Sequence, residues 1–290
     1  MLNKEKRQIT ATLTAKAPIT HGAFSDVSSG NSMMFRRVPV VSLPGFPPIP
    51  VVSGNAIRGV VRRTLMQELY EAIGFKYEWF VEQFESEQVA KRSWDKLYAA
   101  LFNGGTLLGK LEDSTDPDEL RHMRKMVPAL SVLGSSLYMK MLPGMARIGF
   151  AWLICKESID GELVEKTPET IVISAEDAIT EIGQVRHIER ENNNPEITGV
   201  TPMPVTIEAL APGASLQFRA SLLPQTTEIE RSCLVHGLSL IHYIGGKGAT
   251  GFGEVSMTLS DTDDSEYVEW LQGDLTQTRD YLLEMARSFK

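Results

Sequence analysis

Cysteine is scarce in this chain of 290 residues, which contains only Cys155 and Cys233. Neither has a CxxC partner or a histidine at ligand spacing, so we expect no structural zinc and a reducing compartment. Long apolar runs are also missing, since no stretch approaches the roughly 18 residues of a membrane helix. The charged N-terminal residues differ from a secretion signal. We therefore expect a cytoplasmic protein with no membrane partner, no metal and no cofactor.

An excess of positive charge is missing too, because the formal net charge is −8. The charge is unevenly distributed, however. Residues 1–150 carry 19 Lys and Arg against 14 Asp and Glu, whereas residues 151–290 carry 10 against 23. A chain with this charge distribution can bind an anion on its basic face and expose its acidic face to solvent or to a partner. A surface that is fully solvated but unevenly charged is an equally good explanation of the distribution.

Catalytic motifs are likewise missing, since no GxSxG, HExxH or EF-hand pattern occurs. Two acidic clusters, one at residues 116–119 and one at residues 261–264, are expected to be solvated helix starts or linkers, because they lack the basic or histidine partners that would make a two-metal site. We therefore predict that the chain is not an enzyme.

The hydrophobic pattern that is present predicts an α+β fold with an antiparallel sheet. Alternating β-branched residues predict a first strand over residues 8–17, and residues 53 or 54 to about 73 have helical spacing and a cap. Arg58, Arg62 and Arg63 lie off the apolar stripe of this helix. Further helices are predicted over residues 77–102, 116–127, 228–242 and in the acidic tail 261–290. Strands are predicted over residues 36–42, 146–155, 205–210, 215–221 and 254–259, with a strand-like texture throughout 129–180.

Glycine is concentrated near the C-terminus, with five glycines in residues 245–253. Gly246, Gly248 and Gly251 satisfy GxGxxG, but the residues that follow predict a strand, whereas a dinucleotide site needs a helix there. Lys247 is followed by glycine, which excludes the P-loop pattern. RNA contact, a structural turn and a small-molecule phosphate site remain open, because exposed backbone amides serve all three.

Five segments occur in an order that resembles a known family: residues 17–22 (Ala-Pro-Ile-Thr-His-Gly), 49–62, 128–136, 208–214 and the glycine-rich loop. The chain resembles the RAMP superfamily of CRISPR effector proteins, most closely the Cas-seven-type backbone subunit in its type IV (Csf-type) version. The resemblance covers roughly residues 9–259.

The resemblance implies one RAMP-type domain with a ferredoxin-like, RRM-related antiparallel core over about residues 8–70 and 146–260. It also implies a helical insertion at about 75–130 and a protruding thumb at about 183–204, followed by the acidic helical tail. Members of the family stack head-to-tail along a guide RNA (crRNA). The implied partners are crRNA, target DNA or RNA, further copies of the chain and other CRISPR effector subunits.

Sequence-independent gripping of RNA requires cations and backbone amides that contact phosphates. We predict such contacts at residues near the family motifs, at the start of the first long helix and in the thumb, although His21 also suits a strand-end cap and Phe252 a core position. The predicted RNA-binding residues are His21, Arg36, Arg37, Gly54, Asn55, Arg58, Arg62, Arg186, His187, Arg190, Gly246, Lys247, Gly248 and Phe252.

Some relatives in type III complexes cut target RNA with an aspartate in the loop after the first strand. Asn31 stands where we expect that aspartate, and an amide is neither a general base nor an anionic metal ligand. Asp26 lies nearby, so a metal-dependent RNA-cleaving subunit is the alternative function. A nucleotide-binding enzyme that uses the glycine-rich loop is a further one.

Overall fold

The computed structural model describes residues 2–22, 32–107, 116–138, 140–165, 172–186 and 203–289. Its helices and strands, in chain order, are β1 (Gln8–Ala15), β2 (Ser32–Met33), β3 (Arg37–Pro39), β4 (Pro48–Val52), α1 (Gly54–Ala72), α2 (Tyr77–Val81), α3 (Glu87–Phe102), β5 (Gly105–Leu107), α4 (Pro117–Met126), α5 (Pro128–Leu133), β6 (Ser135–Tyr138), β7 (Lys140–Leu142), β8 (Ala146–Ile148), β9 (Ala151–Leu153), α6 (Lys156–Asp160), β10 (Ile179–Arg186), β11 (Met203–Leu210), β12 (Ser215–Leu222), α7 (Glu228–Ser239), β13 (Val255–Leu259), α8 (Ser265–Gln272) and α9 (Thr276–Ser288).

The central sheet has the strand order β13-β1-β12-β9-β4-β3, with β8 also paired to β12. All of these pairs are antiparallel. The core contains four strands in chain order, namely β1, the β8–β9 pair, β12 and β13, which we number 1 to 4. Helix α1 lies between strands 1 and 2, and α7 lies between strands 3 and 4. The spatial order of the four strands in the sheet is 4-1-3-2. This is the ferredoxin-like β-α-β-β-α-β arrangement. The α+β prediction is confirmed.

The alternation of β1 determines which side of the sheet is buried. Ile9, Ala11 and Leu13 are buried, whereas Thr10 and Thr12 between them are only partly covered. Because successive side chains of a strand point to opposite faces, the apolar residues belong to the core face and the threonines to the outer face. Two smaller sheets, β10-β11-β2 and β5-β6-β7, stand apart from the central one.

Helix α1 begins where the sequence predicts, because the Ser53 hydroxyl accepts a hydrogen bond from the Ala56 N–H at 3.3 Å. Its buried side chains include Val61 and Leu65, which approach Gly237 of α7. Other parts of α1 contact α3 and α5. The helix therefore joins the ferredoxin-like core to the helical segment that follows it.

Several predicted elements are corrected by the structure. Residues 128–133 form helix α5 within a region predicted to be strand-like, and residues 156–160 form helix α6. The helix predicted over 77–102 is two helices, and the strand predicted over 146–155 is interrupted at residues 149–150. Arg62, predicted to lie on the exposed side of α1, is buried with 6% of its surface accessible.

The C-terminal helices pack on their own chain. The Thr278 hydroxyl donates to the Met126 carbonyl at 3.0 Å, and the Arg279 guanidinium lies over the Trp79 ring at 5.2 Å. The acidic residues before α8 are also not simply solvated. Asp261 and Asp263 form ion pairs with buried Arg231, which corrects the expectation that the whole cluster is solvated.

In the part of the chain that the structure describes, no helix is both long and apolar enough to cross a bilayer.

Candidate nucleic-acid interface

The glycine-rich loop is fixed to the segment that follows β1. The Gly246 N–H donates to the Thr20 carbonyl at 3.0 Å, and the Thr20 hydroxyl donates to the Gly246 carbonyl at 2.9 Å. The Gly253 N–H donates to the Pro18 carbonyl at 2.9 Å. Two of the family-like segments, more than 200 residues apart in sequence, are thus held side by side by backbone hydrogen bonds.

The conformation of this loop requires glycine at its start. Gly245 has φ +87°, and a Cβ there would collide with the Thr20 carbonyl oxygen. Lys247 also has a left-handed backbone, with φ +63°, and a 3₁₀ turn follows at residues 248–250. Gly246, Gly248 and Gly251 are exposed, so the backbone of the loop faces solvent. The loop leads into strand β13, which confirms that it lacks the strand-loop-helix context of a dinucleotide site.

His21 connects the end of β1 with the start of α1. Its Nε2 accepts a hydrogen bond from the Ser53 N–H at 3.1 Å. Burial, together with the charge of Arg36, lowers the pKa of His21 to about 4. The imidazole is therefore neutral near pH 7, and it contributes an acceptor inside the protein rather than a positive charge.

The first turn of α1 lies beside His21. Asn55 is exposed, whereas Gly54 packs so closely against residues 148–149 that a Cβ would collide with the Ile148 carbonyl oxygen. The helix is 19 residues long, and its N-terminal N–H groups form the positive end of its dipole. We call the surface formed by residues 20–22, 36, 53–55 and 246–251 the loop surface.

The two arginines of the segment before β4 have different surroundings. The Arg36 N–H donates to the His21 carbonyl at 2.8 Å, and the charge of Arg36 acts on the His21 ring. Arg37 instead forms a 2.7 Å ion pair with Glu208 of β11. The structure therefore places Arg36 on the loop surface and pairs Arg37 with a carboxylate of the neighbouring sheet.

Arg58 and Arg62 project from α1 toward the C-terminal end of α5. Arg58 donates to the carbonyls of Leu133 at 3.0 Å and Ala146 at 2.8 Å, and Arg62 donates to the Gly134 carbonyl at 2.8 Å. Burial and the nearby charge of Arg58 lower the pKa of Arg62 to about 10. The Arg62 Nη1 atom is buried without a hydrogen-bond partner.

A small polar cavity of about 300 Å³ lies where these guanidinium groups converge. Ser135, Ser136 and Gly144 also line this cavity, and its described lining contains no carboxylate. Two partly desolvated cations without a neutralising carboxylate produce a local positive potential, which favours an anion.

The remaining predicted site residues lie elsewhere. Phe252 is buried, which matches its core alternative. Arg186 ends β10, but its side chain, His187, Arg190 and most of the predicted thumb lie outside the described residues, as do Asp26 and Asn31. Among the described residues, no group of three or more His, Cys, Asp and Glu side chains is arranged to hold a metal ion.

The sequence interpretation missed two side chains next to the glycine-rich loop. His242 and Tyr243 are both exposed, and Tyr243 pairs with Glu254 through a backbone bridge at the base of the loop. Their position in the sequence could have indicated them, because these two aromatic rings lie between the end of α7 and the glycine-rich loop. Such rings suit base stacking when they line a nucleic-acid groove.

Comparison with known proteins finds similarity at the level of the fold. No family model matches the chain, and no curated protein sequence matches it. A chain of the "Type IV-B CRISPR Complex" superposes with a TM-score of 0.55 at 17% identity, over 92% of this chain and 100% of that one. Csc2 of Thermofilum pendens also aligns, with a TM-score of 0.41 at 15% identity, over 97% of this chain and 76% of that one. The chain therefore shares its fold with a chain of the Type IV-B CRISPR complex, as the order of its sequence motifs implied.

Proposed function

We propose that this chain is a guide-RNA-binding backbone subunit of a CRISPR effector complex, which assembles in several copies along the RNA and has no catalytic role. Its partners in this proposal are crRNA, other copies of itself, other effector subunits and the target DNA or RNA that pairs with the guide. The fold shared with a chain of the Type IV-B CRISPR complex supports the proposal. The loop surface provides the chemistry.

The observation that carries the proposal is the pairing of the glycine-rich loop with Thr20 beside the start of α1. This pairing brings exposed loop backbone, Lys247 and a helix N-terminus onto one surface. Backbone N–H groups and helix N-termini bind phosphate oxygens without contacting base edges. Such a surface suits an RNA whose sequence changes from one guide to the next, because the protein then grips only the ribose-phosphate chain.

The cavity beside Arg58 and Arg62 supplies a second contact in this proposal. Its positive potential favours a phosphate, and the buried Arg62 Nη1 lacks a partner in the protein. A phosphate oxygen at the cavity mouth would interact with guanidinium groups that carbonyl oxygens already hold in position. This preorganisation lowers the entropy lost on binding, since neither side chain needs to be ordered again.

Gly248→Asp tests the loop surface directly. A Cβ at Gly248 meets no heavy atom within 4 Å, so the variant places a carboxylate in the loop without a clash. We expect weaker binding to single-stranded RNA, by a similar factor for two unrelated sequences, because the carboxylate repels phosphates and not particular bases. Fluorescence anisotropy across a salt series provides the measurement.

Gly74→Asp is the matched control, because it adds the same charge to an exposed and equally open glycine beyond the other end of α1. Its φ of +63° is one that aspartate tolerates. The 19-residue helix α1 is roughly 28 Å long, and the two positions lie near its opposite ends. Equal effects of the two variants, or a loss confined to one RNA sequence, would rule out backbone gripping by the loop surface.

A further inference from the structure

The turn between β3 and β4, residues 41–46, presents two apolar side chains to solvent. Val41 is 77% exposed and Phe46 is 60% exposed. Successive turns hold the segment in shape, because the Leu43 N–H donates to the Val40 carbonyl at 3.3 Å and the Phe46 N–H donates to the Leu43 carbonyl at 3.2 Å. We call residues 41–46 the tip.

The backbone of the tip is strained at Phe46. Its φ of +49° lies in the left-handed region, which a bulky residue rarely adopts. The preceding residue, Gly45, is also left-handed, with φ +78°. A phenylalanine that is both strained and exposed contributes little to the isolated chain, and strain of this kind concentrates at contact sites.

An apolar groove lies on the helical side of the molecule. It is formed by α4, the N-terminus of α7, α8 and α9, and it encloses about 820 Å³. Its apolar lining consists mainly of Leu120, Met126, Met145, Ile229 and Trp270. This volume is ample for the side chains of one phenylalanine and one valine.

The charges around the tip and around the groove are of opposite sign. A Cβ at Gly161 would lie 3.3 Å from Val40 Cγ1, so the base of the tip packs against the end of α6. The residues on either side of Gly161 are Asp160 and Glu162, and both are exposed. Carboxylates therefore flank the tip.

Cations dominate the edge of the groove. Arg121 and Lys125 of α4 are exposed there, and Arg124 is partly buried between them. Arg121 also forms an exposed ion pair with Asp118 one turn earlier in α4, which solvent screens. Two carboxylates also line the groove. Glu230 is buried and accepts hydrogen bonds from Ser131 and Thr227, whereas Asp274 is exposed. The exposed edge formed by α4 thus complements the carboxylates beside the tip.

The tip and the groove lie on opposite sides of the central sheet. Residues 161–165 run from α6 across the outer face, where the Glu165 N–H donates to Gln217 Oε1 at 2.7 Å and Arg219 pairs with Glu165. The groove instead belongs to the helices on the core side. Such surfaces cannot meet within one chain, but they can meet between neighbouring copies.

We propose that the tip of one copy docks into the groove of the next copy, with Asp160 and Glu162 facing Arg121 and Lys125. The contact joins two different surfaces, so it is heterologous and generates an open row of copies rather than a closed dimer. This inference rests on the proposed function, in which copies line up along an RNA, and it names the surfaces that join them.

Charge reversal provides the test. The tip variant carries Asp160→Lys and Glu162→Lys, and the groove variant carries Arg121→Glu and Lys125→Glu. Each variant alone should assemble at least about tenfold more weakly than the parent chain, because like charges then face each other. Combining all four substitutions in one chain should restore assembly. Sedimentation velocity with an RNA long enough for several copies measures the size distribution.

A mixture of the two double variants gives a sharper result. In a mixture, the unchanged tip of the groove variant fits the unchanged groove of the tip variant, and the Lys-bearing tip of the tip variant fits the Glu-bearing groove of the groove variant. We therefore expect long rows of alternating copies in the mixture, although each variant alone assembles weakly. Phe46→Gly removes the apolar contact and relieves the backbone strain, so it should weaken assembly without lowering the free energy of unfolding.

Parent-like assembly of both double variants, or no recovery in the fourfold variant, overturns the tip-in-groove contact. Binding to a short RNA that holds one copy separates this failure from failure of the proposed function. If the variants bind the short RNA normally but assemble like the parent, only the contact is wrong. If the parent chain binds no RNA and stays monomeric, the proposed function fails as well.

Discussion

At the scale of single residues, His21 shows how a side chain predicted to bind RNA also serves the fold. Its imidazole accepts the Ser53 N–H, so it connects the end of β1 to the N-cap of α1. A protonated imidazole has no acceptor at that nitrogen. The hydrogen bond therefore depends on the neutral form, which the low pKa of about 4 maintains.

The stability of the fold should respond to this histidine in a defined pH range. In the unfolded chain its pKa is about 6.5, and in the fold it is about 4, so the unfolded state binds more protons between these values. The contribution of neutral His21 is thus complete above about pH 6.5 and is lost as the pH falls toward 4. We expect His21→Gln, which keeps an acceptor but does not titrate, to gain stability relative to the parent chain over this range.

Urea unfolding of the two proteins at several pH values provides the measurement. The difference between their free energies of unfolding isolates His21, because the other titrating groups are common to both. A difference that stays constant from pH 7 to about pH 4 would contradict the lowered pKa.

Arg62 shows what a residue pattern cannot reveal. It lies off the apolar stripe of α1, which predicts exposure, but it is buried because the end of α5 directs two carbonyl oxygens toward it. Those acceptors belong to residues about 70 positions later in the chain. Arg63, its sequence neighbour, is exposed as predicted.

At the scale of helices and strands, the elements with a clear period were predictable and the short ones were not. Strand β1 alternates strictly, and α1 has both a stripe and a serine cap, so both were placed within two residues. Helix α5 has six residues, all buried, and thus shows no polar face from which to infer a helical period. The break between α2 and α3 lacks glycine and proline, and the signal that marks it is Ser86, whose hydroxyl accepts a hydrogen bond from the Val89 N–H and caps α3.

The junction between α1 and the β8–β9 segment depends on a glycine. Gly54→Ala should lower the free energy of unfolding by about 1–3 kcal/mol, because the new methyl group collides with the Ile148 carbonyl. Gly59→Ala is the control within the same helix, since a Cβ there meets only the flexible Arg63 side chain at 3.4 Å. It should raise stability by roughly 0.5–1 kcal/mol.

Chemical denaturation of both variants measures the two effects. Stabilisation by both substitutions would show that α1 starts farther from residues 148–149 than the structure indicates.

At the scale of the whole molecule, the acidic C-terminal tail belongs to the folded unit. Beyond the Thr278 and Arg279 contacts, the Lys96 ammonium of α3 donates to the Phe289 carbonyl at 3.1 Å, and Arg287 lies over the Phe84 ring. The tail is thus packed against the helical segment that contains α2 and α3.

Leu282→Ala tests this role of the tail. Leu282 of α9 is fully buried, so its truncation should cost about 2–5 kcal/mol of unfolding free energy. Glu284→Ala, an exposed position in the same helix, should change it by no more than about 0.5 kcal/mol. Equal melting temperatures for the two variants would mean that α9 is detached from the core.

The candidate site was predictable only in part, for a reason that applies to the whole molecule. Local patterns identified the glycine-rich loop, the start of α1 and His21 as separate features. Their adjacency depends on hydrogen bonds such as Thr20 to Gly246, between residues that no periodicity links. The pairing of Arg37 with Glu208 and the exposure of Tyr243 likewise follow only from tertiary structure.

The inner position of β1, between β13 and β12 of the central sheet, affects how the protein is made. Its partner β12 is translated about 200 residues after it and its partner β13 about 240 residues after it, as the pairing of Thr14 with Ser215 and of Ala15 with Val255 shows. During synthesis the first strand therefore leaves the ribosome long before either neighbour exists. Sheets closed by such distant segments form slowly, and unpaired strands are prone to aggregation. Nascent chains that end before β12 should accordingly be recognised by chaperones and digested by protease, whereas chains extending past β13 should resist digestion.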